Sequence, residues 1–302
     1  MGALNELTNS CRDMAQEVGE EILGSAPQNT DFWLLVESRS PFSPKVVKES
    51  PLADLLRPLM DHLSRTIPSS RVQFIRRPRG QDSGAGLQVF VADSRLPSPR
   101  LYGATVNSHE DLSNIDIASI REGRLPEGFI EHKEPLILIC THGKRDRCCA
   151  VHGRAFLKAV TEDNKRYVWE SSHIGGHRFA ATCVTLPLGH YFGRLQASDA
   201  NLLIEQCLRG LLYDLRSFRG SAPLSKLAQI VEGRIRQSHG ILETDALEYM
   251  GESASGLHTF TQRATKREFR ARVKTFERDE LRLKSCNAAP EPFQEHQIQW
   301  VE

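Results

Sequence analysis

Two short groups of cysteine and histidine residues carry the side chains best suited to chemistry in this sequence. Cys140, Cys148 and Cys149 fall within ten residues, and His173 and His177 follow with an Ile-Gly-Gly run between them. Thiolates and imidazoles are the donors that bind Zn²⁺ or iron in tetrahedral sites. A metalloprotease helix would read His-Glu-x-x-His, whereas paired glycines favour a bent loop that lacks the glutamate base. The two groups therefore predict a metal site but not a zinc peptidase.

The elements predicted around these residues should bring them together. Residues 136–139 are a short apolar run, typical of a buried strand, that leads into Cys140, and residues 150–160 can form a helix behind it. A second strand over residues 167–169 ends shortly before His173. Loops at the same end of neighbouring strands in a layered α/β fold can face each other. We therefore expect the cysteines and histidines to converge, on either Zn²⁺ or a mixed-ligand [2Fe-2S] cluster.

The order of predicted elements occurs twice, which suggests an internal duplication. Each copy reads β-α-β and then β-β-α, and the offset of about a hundred residues is a usual module size. This order predicts an α/β fold with mixed sheets, built from two tandem thioredoxin-like modules. The modules span residues 1–125, without a metal site, and residues 126–220, with the metal site. Residues 221–302 are predicted to add a small α+β extension of one helix and a β-hairpin.

Composition and charge limit the classes of partner that the sequence predicts. The formal net charge is +1, so bulk charge gives no reason to expect nucleic acid or an anionic membrane as a partner. No apolar run approaches the roughly 18 to 20 residues that span a bilayer, and residues 1–19 lack the pattern of a targeting leader. The seven cysteines are an odd number, which favours reduced thiols or metal ligation over a disulfide framework. We expect a cytoplasmic protein without nucleic-acid or membrane partners.

The runs at residues 138–150 (LICTHGKRDRCCA) and 169–180 (WESSHIGGHRFA) resemble the signature of the sucrase/ferredoxin-like family. The resemblance covers about the first 235 residues well and the remainder weakly. It implies a thioredoxin-like ferredoxin whose [2Fe-2S] cluster has His-x3-His in place of its last two cysteines. The implied ligands in this chain are Cys140, Cys149, His173 and His177. Cys148 stands where many relatives have arginine, so only the resemblance favours Cys149 over Cys148.

The resemblance implies an electron carrier rather than an enzyme with its own substrate. Two neutral imidazoles in place of thiolates make the cluster less negative, so its potential should lie above the roughly −400 mV of plant-type ferredoxins. Electron transfer should be coupled to proton transfer at the ring N–H groups. His142 and Arg178 flank the ligands and are predicted to bind near the cluster and tune it by hydrogen bonding, with a role as loop scaffold as the equal alternative. The partners would be a reductase and an electron acceptor, neither of which the residues identify.

Two alternatives remain open at this point. A structural or regulatory zinc protein would use the same two cysteines and two histidines. A thiol-disulfide oxidoreductase would use Cys148 and Cys149, although adjacent cysteines are not the Cys-x-x-Cys motif and form a strained ring. Glycoside hydrolysis needs two carboxylates that flank a sugar cleft, and the sequence has no recognisable pair of this kind.

Overall fold

The structure is a computed structural model that describes residues 10–78, 81 and 84–301. The statements below concern these residues. Residues 1–9 lie outside them. These residues belong to the predicted first module, and they are also the start of residues 1–19, which lack the pattern of a targeting leader.

Ten strands, taken from residues 32–221, form one mixed sheet. Its strands are β1 (Phe32–Glu37), β2 (Ser70–Arg76), β3 (Leu87–Asp93), β4 (Arg100–Val106), β5 (Ile130–Glu131), β6 (Leu136–Cys140), β7 (Val168–Ser171), β8 (Cys183–Leu186), β9 (His190–Phe192) and β10 (Phe218–Ser221). The strand order is β10-β9-β8-β6-β7-β2-β1-β3-β4-β5. The helices of this region are α1 (Cys11–Glu17), α2 (Pro51–Thr66), α3 (Arg147–Lys158) and α4 (Ala200–Leu208).

The two halves of this sheet repeat one strand order. In the first half, β1 pairs parallel with β2 and antiparallel with β3, which pairs antiparallel with β4. In the second half, β6 stands in the same relation to β7 and β8, and β8 pairs antiparallel with β9. An antiparallel contact between β2 and β7, through Ile75–Ser171 and Arg76–Glu170, joins the halves. The β5 strand, which lies beyond the predicted boundary at residue 125, pairs with β4.

The buried side chains explain why the two halves form a continuous sheet. One face of each half has its own apolar core, whereas a third core contains residues of both, including Trp33, Phe90, Leu138, Trp169 and Tyr191. Strands that are buried on both faces read as continuous apolar runs, as residues 136–140 do.

The C-terminal region contains α5 (Lys226–His239) and a separate antiparallel sheet of β11 (Leu247–Glu252), β12 (His258–Gln262), β13 (Glu268–Leu283) and β14 (Pro290–Val301), in that order. The sequence predicts one hairpin here, and the structure has four strands. The reason is that β13 carries Phe269 and Ala271 on the face that packs with Val231 and Ile235 of α5, so strands on both of its edges are stabilised. Among the described residues, no helix is both long and apolar enough to cross a membrane.

Candidate metal centre

The sheet places the cysteine loop and the histidine loop at the same edge. Cys140 is the last residue of β6, and His173 follows the end of β7 by two residues. Because β6 and β7 are parallel neighbours, paired at Cys140 and Ser171, their carboxyl ends meet at one edge. This pairing brings the cysteine loop and the histidine loop to one edge of the sheet.

The helix after the loop begins earlier than the sequence predicts, and this difference places both adjacent cysteines in its first turn. The sequence predicts a helix from residue 150, whereas α3 begins at Arg147. Asp146 is its N-cap, because its Oδ1 accepts a hydrogen bond from the backbone N–H of Cys148 at 2.9 Å. The thiol of Cys149 therefore lies at the positive end of a twelve-residue helix, which opposes the cost of ionising a buried thiol.

Three predicted ligands come together. The Sγ atoms of Cys140 and Cys149 each lie 3.9 Å from Nδ1 of His173, and the three donor atoms are all within 4.8 Å of one another. Both cysteines are buried, and His173 is half-buried. Two sulfurs and one imidazole nitrogen at such distances form a cluster that can hold a metal ion.

The fourth predicted ligand, His177, lies beside this group and is oriented by the C-terminal sheet. Its ring centroid is 5.0 Å from that of His173. Its Nε2 lies 2.6 Å from the carbonyl oxygen of Lys284, so the ring donates its proton from Nε2 and keeps a lone pair on Nδ1. That Nδ1 is buried and has no hydrogen-bond partner among the described residues. A buried acceptor without a partner is what a metal ligand requires, so His177 fits the predicted role.

The charge states of these groups also suit ligation. The hydrogen bond from Cys149 and then the nearby His173 ring hold the pKa of Cys140 well below its ordinary value, against the effect of burial. The same hydrogen bond and burial raise the pKa of Cys149. Burial lowers the pKa of His177, partly opposed by the Asp146 carboxylate, so its ring is neutral near pH 7. The cysteine pair thus shares one proton, which must leave when both sulfurs bind a metal.

His142 positions the histidine loop. Its Nδ1 accepts a hydrogen bond from the backbone N–H of His173 at 3.1 Å, and its Nε2–H donates to the carbonyl oxygen of Ser43 at 2.7 Å. The ring is almost fully buried, and burial lowers its pKa. His142 thus fixes the backbone of a predicted ligand, and its direct contact with a bound cluster stays a prediction.

Arg178 makes contacts on the far side of His177. Its Nε donates to both carboxylate oxygens of Glu20, at 2.9 and 2.8 Å, and its guanidinium lies 4.5 Å from the ring centre of Phe179. Glu20 also forms an ion pair with Arg282 of β13 at 3.1 Å. Glu20, in the segment after α1, therefore joins Arg178 to Arg282 of the C-terminal sheet. The predicted hydrogen bond from Arg178 to a bound cluster stays a prediction.

Sequence reasoning missed Arg219, which supports the histidine loop from behind. The side chain is completely buried, and its Nη1 donates to the carbonyl oxygen of Gly175 at 3.1 Å. Gly176 has a φ of 72°, and a Cβ there would lie 2.2 Å from Nη2 of Arg219. The two glycines therefore allow the loop to pass directly over a buried guanidinium. A single arginine in a strand gives no signal of this contact in the sequence.

Cys148 and Cys149 are adjacent in the sequence but lie in different environments. Cys149 belongs to the apolar core that contains Cys140, whereas Cys148 packs with Cys11 and Ala180. Successive residues of a helix point about 100° apart, which accounts for the division. The geometry favours Cys149 as the ligand beside Cys140 and gives no support to a disulfide between Cys148 and Cys149.

Comparison with known proteins agrees with this arrangement. The family model described as sucrase/ferredoxin-like matches residues 22–220. The chain is also 26% identical over 148 residues to altered inheritance of mitochondria protein 32 of Meyerozyma guilliermondii, a match that covers 44% of this chain and 50% of the relative. The chain thus spans about half the length of that curated relative. No solved structure matches the chain. Since the family model covers well over half of its length and both Cys/His motifs, the chain belongs to the sucrase/ferredoxin-like family.

Proposed function

We propose that this protein carries one [2Fe-2S] cluster on Cys140, Cys149, His173 and His177 and transfers single electrons between a reductase and an acceptor. The observation that carries the proposal is the convergence of two buried thiols with the His173 imidazole, beside which the His177 ring keeps a buried Nδ1 without a partner among the described residues. Two sulfur and two nitrogen donors suit a mixed-ligand cluster. Membership of the family whose name includes ferredoxin supports the same choice.

The strand order supports a thioredoxin-like fold for each half of the large sheet. In both halves a parallel β-α-β unit is followed by two antiparallel strands, in the order β2-β1-β3-β4 and β7-β6-β8-β9. This is the layered arrangement that the sequence pattern predicts. The second half would then be the ferredoxin module, and the first half would cover its edge through β2.

The cluster, when bound, supplies a one-electron acceptor, and the protein's residues set its surroundings. Burial of both cysteines keeps water from the sulfurs, and His142 and Arg219 hold the loop that carries both histidines. The Nε2–H of His177 is held by a carbonyl oxygen. His173 is half-buried and lines a surface cavity of about 540 Å³ together with His142 and Arg145. A proton can therefore exchange with solvent more readily at His173 than at His177.

The test is an absorption and EPR spectrum of protein purified without oxygen, before and after dithionite. We expect a red-brown protein that gives a rhombic signal on reduction, with an average g below that of the free electron. The signal should be absent from Cys149→Ala and altered in His177→Ala. Matched controls are Cys207→Ser and His62→Ala, since Cys207 lies in α4 outside the candidate metal centre and His62 is exposed on α2.

A structural or regulatory zinc site is the second candidate, and one distance favours it. The 3.9 Å between each cysteine Sγ and Nδ1 of His173 suits two ligands of a single tetrahedral ion. A colourless protein with zinc bound through Cys140 and Cys149, and without a signal after anaerobic reconstitution with iron and sulfide, would establish this candidate and reject the electron carrier.

A further inference from the structure

A second group of potential metal ligands lies on the other side of α3. It consists of Cys11, Asp146, Cys148 and Cys286, which we call the thiol cluster, and its four donor atoms lie within 4.8 Å of one another. Cys11 is the first residue of α1, Asp146 and Cys148 are at the start of α3, and Cys286 lies in the loop between β13 and β14. Cys11 and Cys148 are buried, and Cys286 is half-buried. Three segments that are distant in the sequence thus supply the four donor atoms of the thiol cluster.

The separations between the donor atoms are those of a tetrahedron around one ion. The Sγ–Sγ distances are 3.7 Å for Cys11 and Cys148, 3.4 Å for Cys148 and Cys286, and 3.5 Å for Cys286 and Cys11. Oδ1 of Asp146 lies 3.4 Å from Sγ of Cys286 and 3.9 Å from Sγ of Cys11. Tetrahedral Zn²⁺ with sulfur ligands at about 2.3 Å and an oxygen ligand at about 2.0 Å places its donors about 3.5 to 3.8 Å apart. The Sγ–Sγ separations of 3.4 to 3.7 Å are slightly shorter than the sulfur–sulfur value of about 3.8 Å, and the two Asp146 separations lie on either side of the sulfur–oxygen value of about 3.5 Å.

Hydrogen bonds hold the Asp146 carboxylate in position for a fourth ligand. Its Oδ2 accepts from the backbone N–H of Cys286 at 3.0 Å and from the hydroxyl of Ser285 at 3.1 Å. Its Oδ1 accepts from the N–H of Cys148 at 2.9 Å. A carboxylate has about four lone-pair positions. The bonds from backbone N–H groups and Ser285 use three of them. The Cys286 thiol donates to the fourth, on Oδ1, at 3.4 Å, so this position is released when the thiol loses its proton to bind a metal.

The geometry favours an ion over a disulfide. The three Sγ–Sγ distances differ by only a few tenths of an ångström, so no pair is singled out for a bond, and a disulfide would leave a third buried thiol beside it. The oriented carboxylate also has no role in a disulfide. All four donors of the thiol cluster lie close enough together to bind one ion, whereas the four ligands of a [2Fe-2S] cluster are divided between two iron atoms.

We propose that the thiol cluster binds one Zn²⁺ ion through three thiolates and the Asp146 carboxylate, as a closed structural site whose ligands are distinct from those of the candidate metal centre. Zinc undergoes no redox change, and a site with four protein ligands has no open position for a substrate. The ion fastens α1 and the β13–β14 loop to the start of α3. That loop also carries the Lys284 carbonyl that orients His177, so the zinc ion stabilises the support of a neighbouring ligand.

The experiment measures zinc by elemental analysis and its ligands by zinc-edge X-ray absorption, which iron does not disturb. We expect one zinc per chain in the wild-type protein, with three sulfur neighbours at about 2.3 Å and one oxygen neighbour at about 2.0 Å. Cys286→Ser, at the half-buried position, and Cys11→Ser should each lose this zinc. Cys140→Ser, in the candidate metal centre, and Cys207→Ser, the matched control, should retain it.

The absorption measurement on the wild-type protein keeps the test decisive even where a serine variant fails to fold. Absence of zinc from the wild-type protein would overturn the proposal, and so would two sulfur and two nitrogen neighbours with zinc lost in Cys140→Ser. A disulfide among Cys11, Cys148 and Cys286 in peptides of the purified protein would overturn it in favour of a thiol switch. Zinc that Cys286→Ser loses and Cys140→Ser keeps belongs to the thiol cluster, whether the other site holds a [2Fe-2S] cluster or a zinc ion of its own.

Discussion

The Nε2 atom of His177 lies 2.6 Å from the carbonyl oxygen of Lys284, so a loop of the C-terminal sheet sets the orientation of a predicted ligand in the second half of the large sheet. The bond assigns the ring proton to Nε2 and leaves the buried Nδ1 as the donor. The C-terminal region is therefore part of the site's support, although its sequence carries none of the four predicted ligands.

This relationship predicts that both histidines bind iron through Nδ1. Protein labelled with ¹⁵N only at Nδ1 of histidine should show two strongly coupled nitrogens in pulsed EPR of the reduced cluster. His177→Ala should reduce the number to one, because only Nδ1 of His173 remains near the cysteine sulfurs. Strong coupling from protein labelled only at Nε2 would contradict the assignment.

The pH dependence of the midpoint potential should come mainly from His173. Its ring is half-buried beside the surface cavity, whereas the N–H of His177 is held by Lys284. In the pH range in which the oxidised protein has lost the His173 proton and the reduced protein keeps it, the midpoint potential should fall by about 59 mV per pH unit for one electron. His173→Cys should abolish this slope, and His177→Cys, the matched variant with the same new ligand set, should retain it. The reverse result in a redox titration would show that His177 is the proton donor.

Close contact between α3 and β6 should be necessary to bring the two cysteines together. A Cβ at Gly153 would lie 2.1 Å from the carbonyl oxygen of Cys140, so Gly153→Ala must push the helix away from the strand. We expect reduced iron content and a free energy of unfolding lower by about 1 to 3 kcal/mol, the usual cost of overpacking. Val151→Ala, at an exposed position of the same helix, is the control. Normal iron content and stability in Gly153→Ala would show that the contact can relax.

His190 should make the fold sensitive to acid. Burial, followed by nearby Arg236, lowers the pKa of this β9 residue from 6.5 to about 3. The unfolded chain therefore binds a proton between these pH values that the folded chain does not, so stability falls as the pH decreases, by up to about 1.4 kcal/mol per unit. His190→Leu should reduce this slope in urea unfolding at pH 7 and pH 5, and exposed His62→Ala should leave it unchanged. Equal slopes in wild type and His190→Leu would show that His190 is protonated in the folded protein.

Much of the candidate site could be predicted from the sequence, because metal ligation depends on residue types in short motifs. The apolar run before Cys140 and the paired glycines between His173 and His177 also indicate the strand and the bent loop that position the ligands. The repeated order of strands was predictable for the same reason, since periodicity and turns are local properties.

The tertiary structure alone decided what surrounds the ligands. Cys148 and Cys149 are neighbours in the chain, yet a helical step of about 100° directs one to Cys11 and Cys286 and the other to Cys140. Cys11 lies 137 positions from Cys148, and Cys286 lies 138 positions from it. The support of His177 by Lys284 likewise joins residues 107 positions apart. Such contacts depend on how distant elements pack, which no local pattern encodes, whereas the ligand types and their local spacing are properties of the sequence itself.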